Sequence, residues 1–204
     1  MARPLAIETE TGLWLALNIG SVDLTDDQIL QLCSDNEDNF RFEINAHKQL
    51  IIMSPANPQT DHENTDIIRQ LANWTKQDGT GICFGATAGF WLPNGALRSP
   101  DAAWIRRDRW NAFTKEQRWK FMAICPDFVV ELRSPSNRLS EIKEKMEVYI
   151  ESGAQLAWLL DTIDNYAIVY KPVQAPERID GPTILSADPI LPGFEFDFRE
   201  MLTA

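Results

Sequence analysis

Two acidic residues stand where a carboxylate is costly. Glu131 interrupts the otherwise apolar run Phe128-Val129-Val130-Glu131-Leu132, and Asp101 follows Pro100 at the head of a second apolar stretch. In an extended strand Phe128, Val130 and Leu132 share one face, while Val129, Glu131 and Arg133 share the other. A carboxylate on a buried strand is expensive without a partner or a metal, so Glu131 is a candidate functional group. The competing account is a buried glutamate paired with an arginine. Asp101 carries less alone, because Pro-Asp at a strand start is a common turn device. Together they form a carboxylate pair, and hard Mg²⁺ prefers such oxygen ligands. Metal-assisted phosphodiester hydrolysis also calls for a cation, usually lysine, near the attacking water or the developing charge.

The segments Arg98-Ser-Pro-Asp-Ala-Ala-Trp104 and Pro126-Asp-Phe-Val-Val-Glu-Leu-Arg-Ser-Pro-Ser136 resemble the two signature segments of the Uma-type restriction endonucleases, a PD-(D/E)XK group. Less specific stretches resemble it as well: Leu50-Ile-Ile-Met-Ser-Pro55, Gly89-Phe-Trp-Leu-Pro-Asn-Gly95, Lys145-Met-Glu-Val-Tyr149 with Gly153, and Leu191-Pro-Gly-Phe194. The similarity runs over residues 22 to 200. It implies a restriction-endonuclease-like fold and hydrolysis of DNA with Mg²⁺ or Mn²⁺. It implies Asp101 and Glu131 as metal ligands, with the backbone carbonyl of Leu132 as a third. The position two residues after the glutamate, usually lysine, holds Arg133, which is always charged and cannot act as a base. The resemblance moves the lysine role to Lys145 and leaves Arg133 to neutralise phosphate. Helical spacing alone leaves Lys143 and Lys145 equal, since they flank opposite sides of the apolar face formed by Leu139, Ile142, Met146, Tyr149 and Ile150.

Further candidates surround this pair. Glu63 is a possible outer metal ligand, or the second half of a Thr60-x-x-Glu63 capping box. Glu43 either borders the site or anchors the sheet. His62 reads as a cap or surface residue. Trp110 and Trp119 could stack on bases or simply pack.

The elements that must position these groups follow from periodicity. Thr25-Asp26-Asp27 caps a short helix ending near Asp35. Phe40 to Ile44 and Gln49 to Met53 read as the strands of a hairpin near the N-terminus. Thr60 to Gln77 is helical, followed by short strands at 81–84 and 89–92 and a Pro93-Asn94-Gly95 turn. Pro100 to Arg106 is a strand and Thr114 to Phe121 a short helix. Phe128 to Leu132 is a central strand. A helix capped by Ser136 or Asn137 then runs to Glu151, with Gly153 ending it. Leu156 to Leu160 and Tyr166 to Tyr170 are antiparallel neighbours, and a strand is possible at 194–198. This order predicts an α/β (α+β) fold, a central mixed sheet flanked by helices. Residues 1–20 show no periodicity and are expected as an arm; residues 21–204 form one domain.

Bulk properties limit the partners. The 204 residues, 44% hydrophobic and 24% charged, suit one globular domain. No apolar run reaches the ~20 residues of a membrane span, and the N-terminus does not read as a signal peptide. Cys33, Cys83 and Cys125 are scattered without a C-x-x-C, which favours a reducing cytoplasm over disulfides or zinc. The net charge of −11 opposes phosphate binding, yet residues 98–120 carry a local +4. Arg98, Arg106 and Arg107 from that segment are the candidate DNA contacts. A homodimer is expected by analogy with enzymes that cut both strands. The alternative is an inactive nuclease scaffold serving as a binding or adaptor module.

Overall fold

The computed structural model describes residues 5–9 and 12–202. It contains two six-stranded sheets and five helices among those residues. The first sheet has the order β1-β2-β4-β3-β7-β6. Its strands are β1 (Leu5–Thr9), β2 (Gly12–Asn18), β3 (Arg41–Ile44), β4 (Gln49–Met53), β6 (Phe90–Trp91) and β7 (Leu97–Arg98). The second has the order β12-β11-β10-β9-β8-β5. It comprises β5 (Gly81–Gly85), β8 (Ala102–Arg106), β9 (Phe128–Leu132), β10 (Leu156–Asp161), β11 (Tyr166–Tyr170) and β12 (Glu177–Asp180). Only β9 and β10 pair in parallel there, so the sheet is mixed, as expected. A small hairpin of β13 (Ile184–Ser186) and β14 (Glu195–Asp197) follows, and α5 (Arg199–Leu202) ends the described chain.

The hairpin β3–β4 and the helix α1 (Asp26–Ser34) fall where the patterns put them; Thr25 and Gln28 form a reciprocal cap. Within the stretch expected as an arm, β2 pairs antiparallel with β4 and joins the first sheet, while residues 1–4, 10 and 11 lie outside the described residues.

The second sheet separates two cores. On one face Phe128, Val130 and Leu132 pack with Ile67 and Leu71 of α2 (Pro58–Asp78) and with Phe194 and Phe196. On the other, Val129 packs with Ile142, Met146 and Tyr149 of α4 (Leu139–Glu151). Burial of each such side chain contributes about 1.5–3 kcal/mol, so both faces fix the register of β9. Gly81 permits close packing at the edge, because a Cβ there would meet the Trp104 ring at 2.1 Å.

Three local expectations change. Helix α2 begins at Pro58 because Asn57, not Thr60, is the cap, accepting from the Thr60 N–H at 3.0 Å. The Asn137 carbonyl accepts from the Ser134 N–H and hydroxyl instead of capping α4. The helix expected at 114–121 is reduced to one 3₁₀ turn, Gln117–Trp119, while α3 forms earlier at Arg107–Asn111. Tertiary pairing wins there: Met122 bridges to Phe90, and its carbonyl accepts from the Trp91 N–H, so the chain leaves the helical path at Lys120, which is already extended. No helix among the described residues is long and apolar enough to cross a membrane.

Candidate active site

Strands β8 and β9 are antiparallel with Ala102 across from Val130. Continuing that register by one residue sets Asp101 across from Glu131, on the same face of the sheet. Both are buried, at 7% and 4% exposed, and both line a cavity of about 90 Å³ between the two sheets and the start of α4. Leu132 lines it too. This is the convergence that the two sequence segments call for.

Helix α4 supplies the cation. Lys145 Nζ lies 2.7 Å from Glu131 Oε1 and 2.8 Å from Glu43 Oε1. The Tyr149 hydroxyl, one turn further along, donates to the same Glu131 Oε1 at 2.9 Å. Lys143 makes no ion pair among the described residues and does not line the cavity. The position Lys145 takes beside the carboxylates was beyond the reach of helical spacing.

Glu43 enters from β3 in the first sheet. Arg98 Nη1 holds its Oε2 at 2.8 Å, and the Ser99 N–H donates to Oε1 at 3.0 Å. Burial opposes its charge, but Lys145 and Arg98 outweigh that and lower its pKa to about 2. Glu131 goes the other way. Burial, together with repulsion from Asp101 and Glu43, outweighs Lys145 and raises its pKa to about 7. For Lys145, burial works against the ammonium, yet Glu131 and Glu43 win and its pKa is raised. The triad therefore holds an unequal pair: one glutamate firmly ionised, the other close to neutrality.

Asp101 Oδ2 accepts from the Leu132 N–H at 2.9 Å. Its Oδ1 meets Asn64 Nδ2 at 3.5 Å and Arg41 Nη1 at 3.6 Å. The other arm of Arg41 donates to the Ala86 carbonyl. Asn64 Oδ1 is buried without a hydrogen-bond partner, an orphaned acceptor beside Asp101. Sequence reasoning passed over Arg41, Asn64 and Tyr149. The signal for Arg41 was present, since Arg41 and Glu43 share one face of β3.

Other expected site residues lie elsewhere. Arg133 leaves β9 beside β10 and pairs through Nη1 with Asp161 at 2.5 Å and Asp164 at 2.6 Å. Those contacts raise its pKa, and it does not line the carboxylate cavity. Glu63 is buried, but its oxygens accept from Gln59 and Thr162 rather than facing that cavity. Arg98 is spent inside on Glu43. Arg106 pairs with Asp108, and Arg107 donates to the Gly79 and Gly81 carbonyls. Both sit at the end of β8 opposite Asp101, about 16 Å away along a strand. His62 is exposed and pairs loosely with Asp66. Trp110 packs under Arg118 and against Phe84, while Trp119 is exposed.

Carboxylate oxygens of Asp101 and Glu131 line the cavity together with side-chain oxygens of Ser54, Thr60, Ser134 and Asn137, and oxygen is the ligand a hard divalent cation takes. Among the described residues, no group of three or more His, Cys, Asp and Glu side chains comes together as a metal cage. A cation here would complete its shell with water and substrate oxygens, as Mg²⁺ commonly does. The space suffices, because a water needs only about 10–15 Å³ of such a cavity.

Comparison with known proteins bears on the fold and the family. The fold matches the crystal structure of a putative nuclease belonging to DUF820 from Anabaena variabilis, with a TM-score of 0.71 over 88% of this chain and 98% of that one. At 17% identity that likeness speaks for the fold alone. A stretch of 51 residues is 39% identical to the NADH dehydrogenase (ubiquinone) 1 alpha subcomplex subunit 4-like 2 of Mus musculus. It covers 23% of this chain and 59% of that protein, so the chain spans less than two thirds of that relative. The Uma2 family, described as "Putative restriction endonuclease", matches residues 26–199. That match takes in both carboxylate segments, Lys145, the whole second sheet and β3, β4, β6 and β7 of the first, and the chain belongs to the Uma2 family.

Proposed function

We propose that this protein is a metal-dependent endonuclease that hydrolyses DNA phosphodiester bonds. The observation that carries this reading is the meeting of Asp101, Glu131 and Lys145 at one cavity. Asp101, Glu131 and the Leu132 carbonyl would hold Mg²⁺ or Mn²⁺, which supplies Lewis-acid polarisation of a phosphoryl oxygen when bound. Lys145 is fixed between two glutamates, so its ammonium is oriented before substrate arrives and can donate to an anionic oxygen. Tyr149 and Lys145 both take Oε1 of Glu131, which leaves Oε2 for the cavity. Arg41 replaces Arg133 as the candidate phosphate cation, because one arm is tethered at Ala86 and the other is held only loosely by Asp101. Burial disfavours its charge, but Asp101, Glu43 and Glu131 keep it ionised.

One observation favours the inactive-module alternative. Arg133, at the usual lysine position, is held through Nη1 by two aspartates away from the cavity. Plasmid incubated with Mg²⁺ or Mn²⁺ decides between them. Wild type should cut, while Glu131→Ala and Lys145→Ala should not, and Asp101→Ala should lose Mn²⁺ binding in a titration. Equal cutting by all of these proteins would mean a contaminant nuclease and would remove the support for an active enzyme.

A further inference from the structure

Beside the carboxylate cavity lies a larger one of about 270 Å³, and the two share Arg41, Glu43 and Met53 in their walls. Phe40, Phe42, Phe121 and Leu30 make its wall mainly apolar, and Glu37 and Glu43 add carboxylates beside Arg41. Phe42 and Phe121 also pack into the core of the first sheet. Phe40 does not; it meets Phe42 edge-on at 6.2 Å and is only half-buried. An apolar cavity of about 150 Å³ accepts a benzene ring, so this one has room for the one or two fused rings of a nucleobase.

The geometry points to a nucleobase subsite: an unpaired base enters the aromatic cavity while Arg41 takes the adjoining phosphate at the carboxylate pair. This deepens the endonuclease reading and rests on it. Three features support it. Arg41 lines both cavities, so one guanidinium spans the distance between a base and its own phosphate. A base inside a duplex is stacked and paired on every side, and reaching a pocket requires extrusion or a single strand. The protein carries a net charge of −11, and Arg106 and Arg107 lie at the far end of β8, away from this cleft. Tracking a duplex by phosphate neutralisation is therefore weak here. Aromatic contact with an exposed base adds a contribution that a stacked and paired duplex cannot offer. The substrate class is DNA with an unpaired base, either single-stranded or locally opened.

The test compares a fluorescein-labelled single strand with the same sequence as a perfect duplex. Binding is read by anisotropy in Ca²⁺, and cleavage is read separately in Mg²⁺. The single strand should bind at least about tenfold more tightly. Phe40→Ala should cost about tenfold in that affinity and leave duplex binding unchanged. Thr87→Trp, at an exposed wall of the cavity, should fill the space and do the same without touching the core. Melting curves check that both variants fold. Equal affinity for the two forms, or no effect of either variant, overturns the subsite even if plasmid is cut. Strand preference that depends on Phe40, with no cleavage in any metal, would support the subsite and sink the hydrolytic reading instead.

Discussion

Strand β9 has a buried acid at each end, and the protein treats them differently. Asp127, just before the strand, receives Arg109 Nη1 at 2.7 Å on one oxygen and the Arg106 N–H at 2.8 Å on the other. Its own carbonyl accepts from the Gln155 and Leu156 N–H groups, which ties β9 to β10. Glu131 has no arginine of its own. It shares one lysine with Glu43 and carries a pKa raised to about 7. An acid whose partners are complete is part of the scaffold. An acid left short of charge and facing a cavity is the one that the proposed function assigns to an incoming cation.

The comparison can be broken most directly at the two acids themselves. Glu131→Ala should lower Mg²⁺-dependent DNA cleavage on the order of 10³-fold or more, measured by single-turnover kinetics. Asp127→Ala should instead cost about 3 kcal/mol of stability by denaturant titration, since it strands Arg109 and the Arg106 N–H. If Asp127→Ala abolished cleavage without destabilising the fold, the division between scaffold and site would be wrong.

A subtler test uses pH. The Glu131 carboxyl is raised from about 4.5 to about 7, so folding favours its protonated form. That contribution is intact below pH about 4.5 and fades as pH rises through about 7. Glu131→Gln should therefore stabilise the metal-free protein at pH 8, by up to about 3 kcal/mol, and do little at pH 4. Because a cation must displace that proton, Mn²⁺ affinity should fall about tenfold for each pH unit below 7. A flat affinity between pH 5 and 7 would mean that Glu131 is already ionised. The smallest effect is expected at Arg133→Lys, less than about threefold in cleavage rate, because its side chain answers to Asp161 and Asp164 rather than to the cavity. A large loss there would return Arg133 to the chemistry.

Much of this molecule was legible in the residues. The run Phe128 to Leu132 is apolar on both faces save for Glu131, and it forms the buried strand that such a run demands. Ile142, Met146 and Tyr149 recur at helical spacing and are the buried face of α4. The hairpin of β3 and β4 follows from alternation and a polar turn. These features depend on neighbours a few residues apart, and local sequence encodes them through backbone geometry.

The electrostatics of the site were decided elsewhere. Lys145 and Glu43 meet across 102 residues of sequence, and Arg98 and Glu43 across 55. Helical spacing gives the angle at which Lys145 leaves α4, but not which carboxylate waits at that angle. Arg98 and Arg133 are equally charged on paper to any surface arginine. Only the packing of one sheet against the other, and of β9 against β10, determines that both are consumed by buried acids, because charge pairing is a property of distance in space.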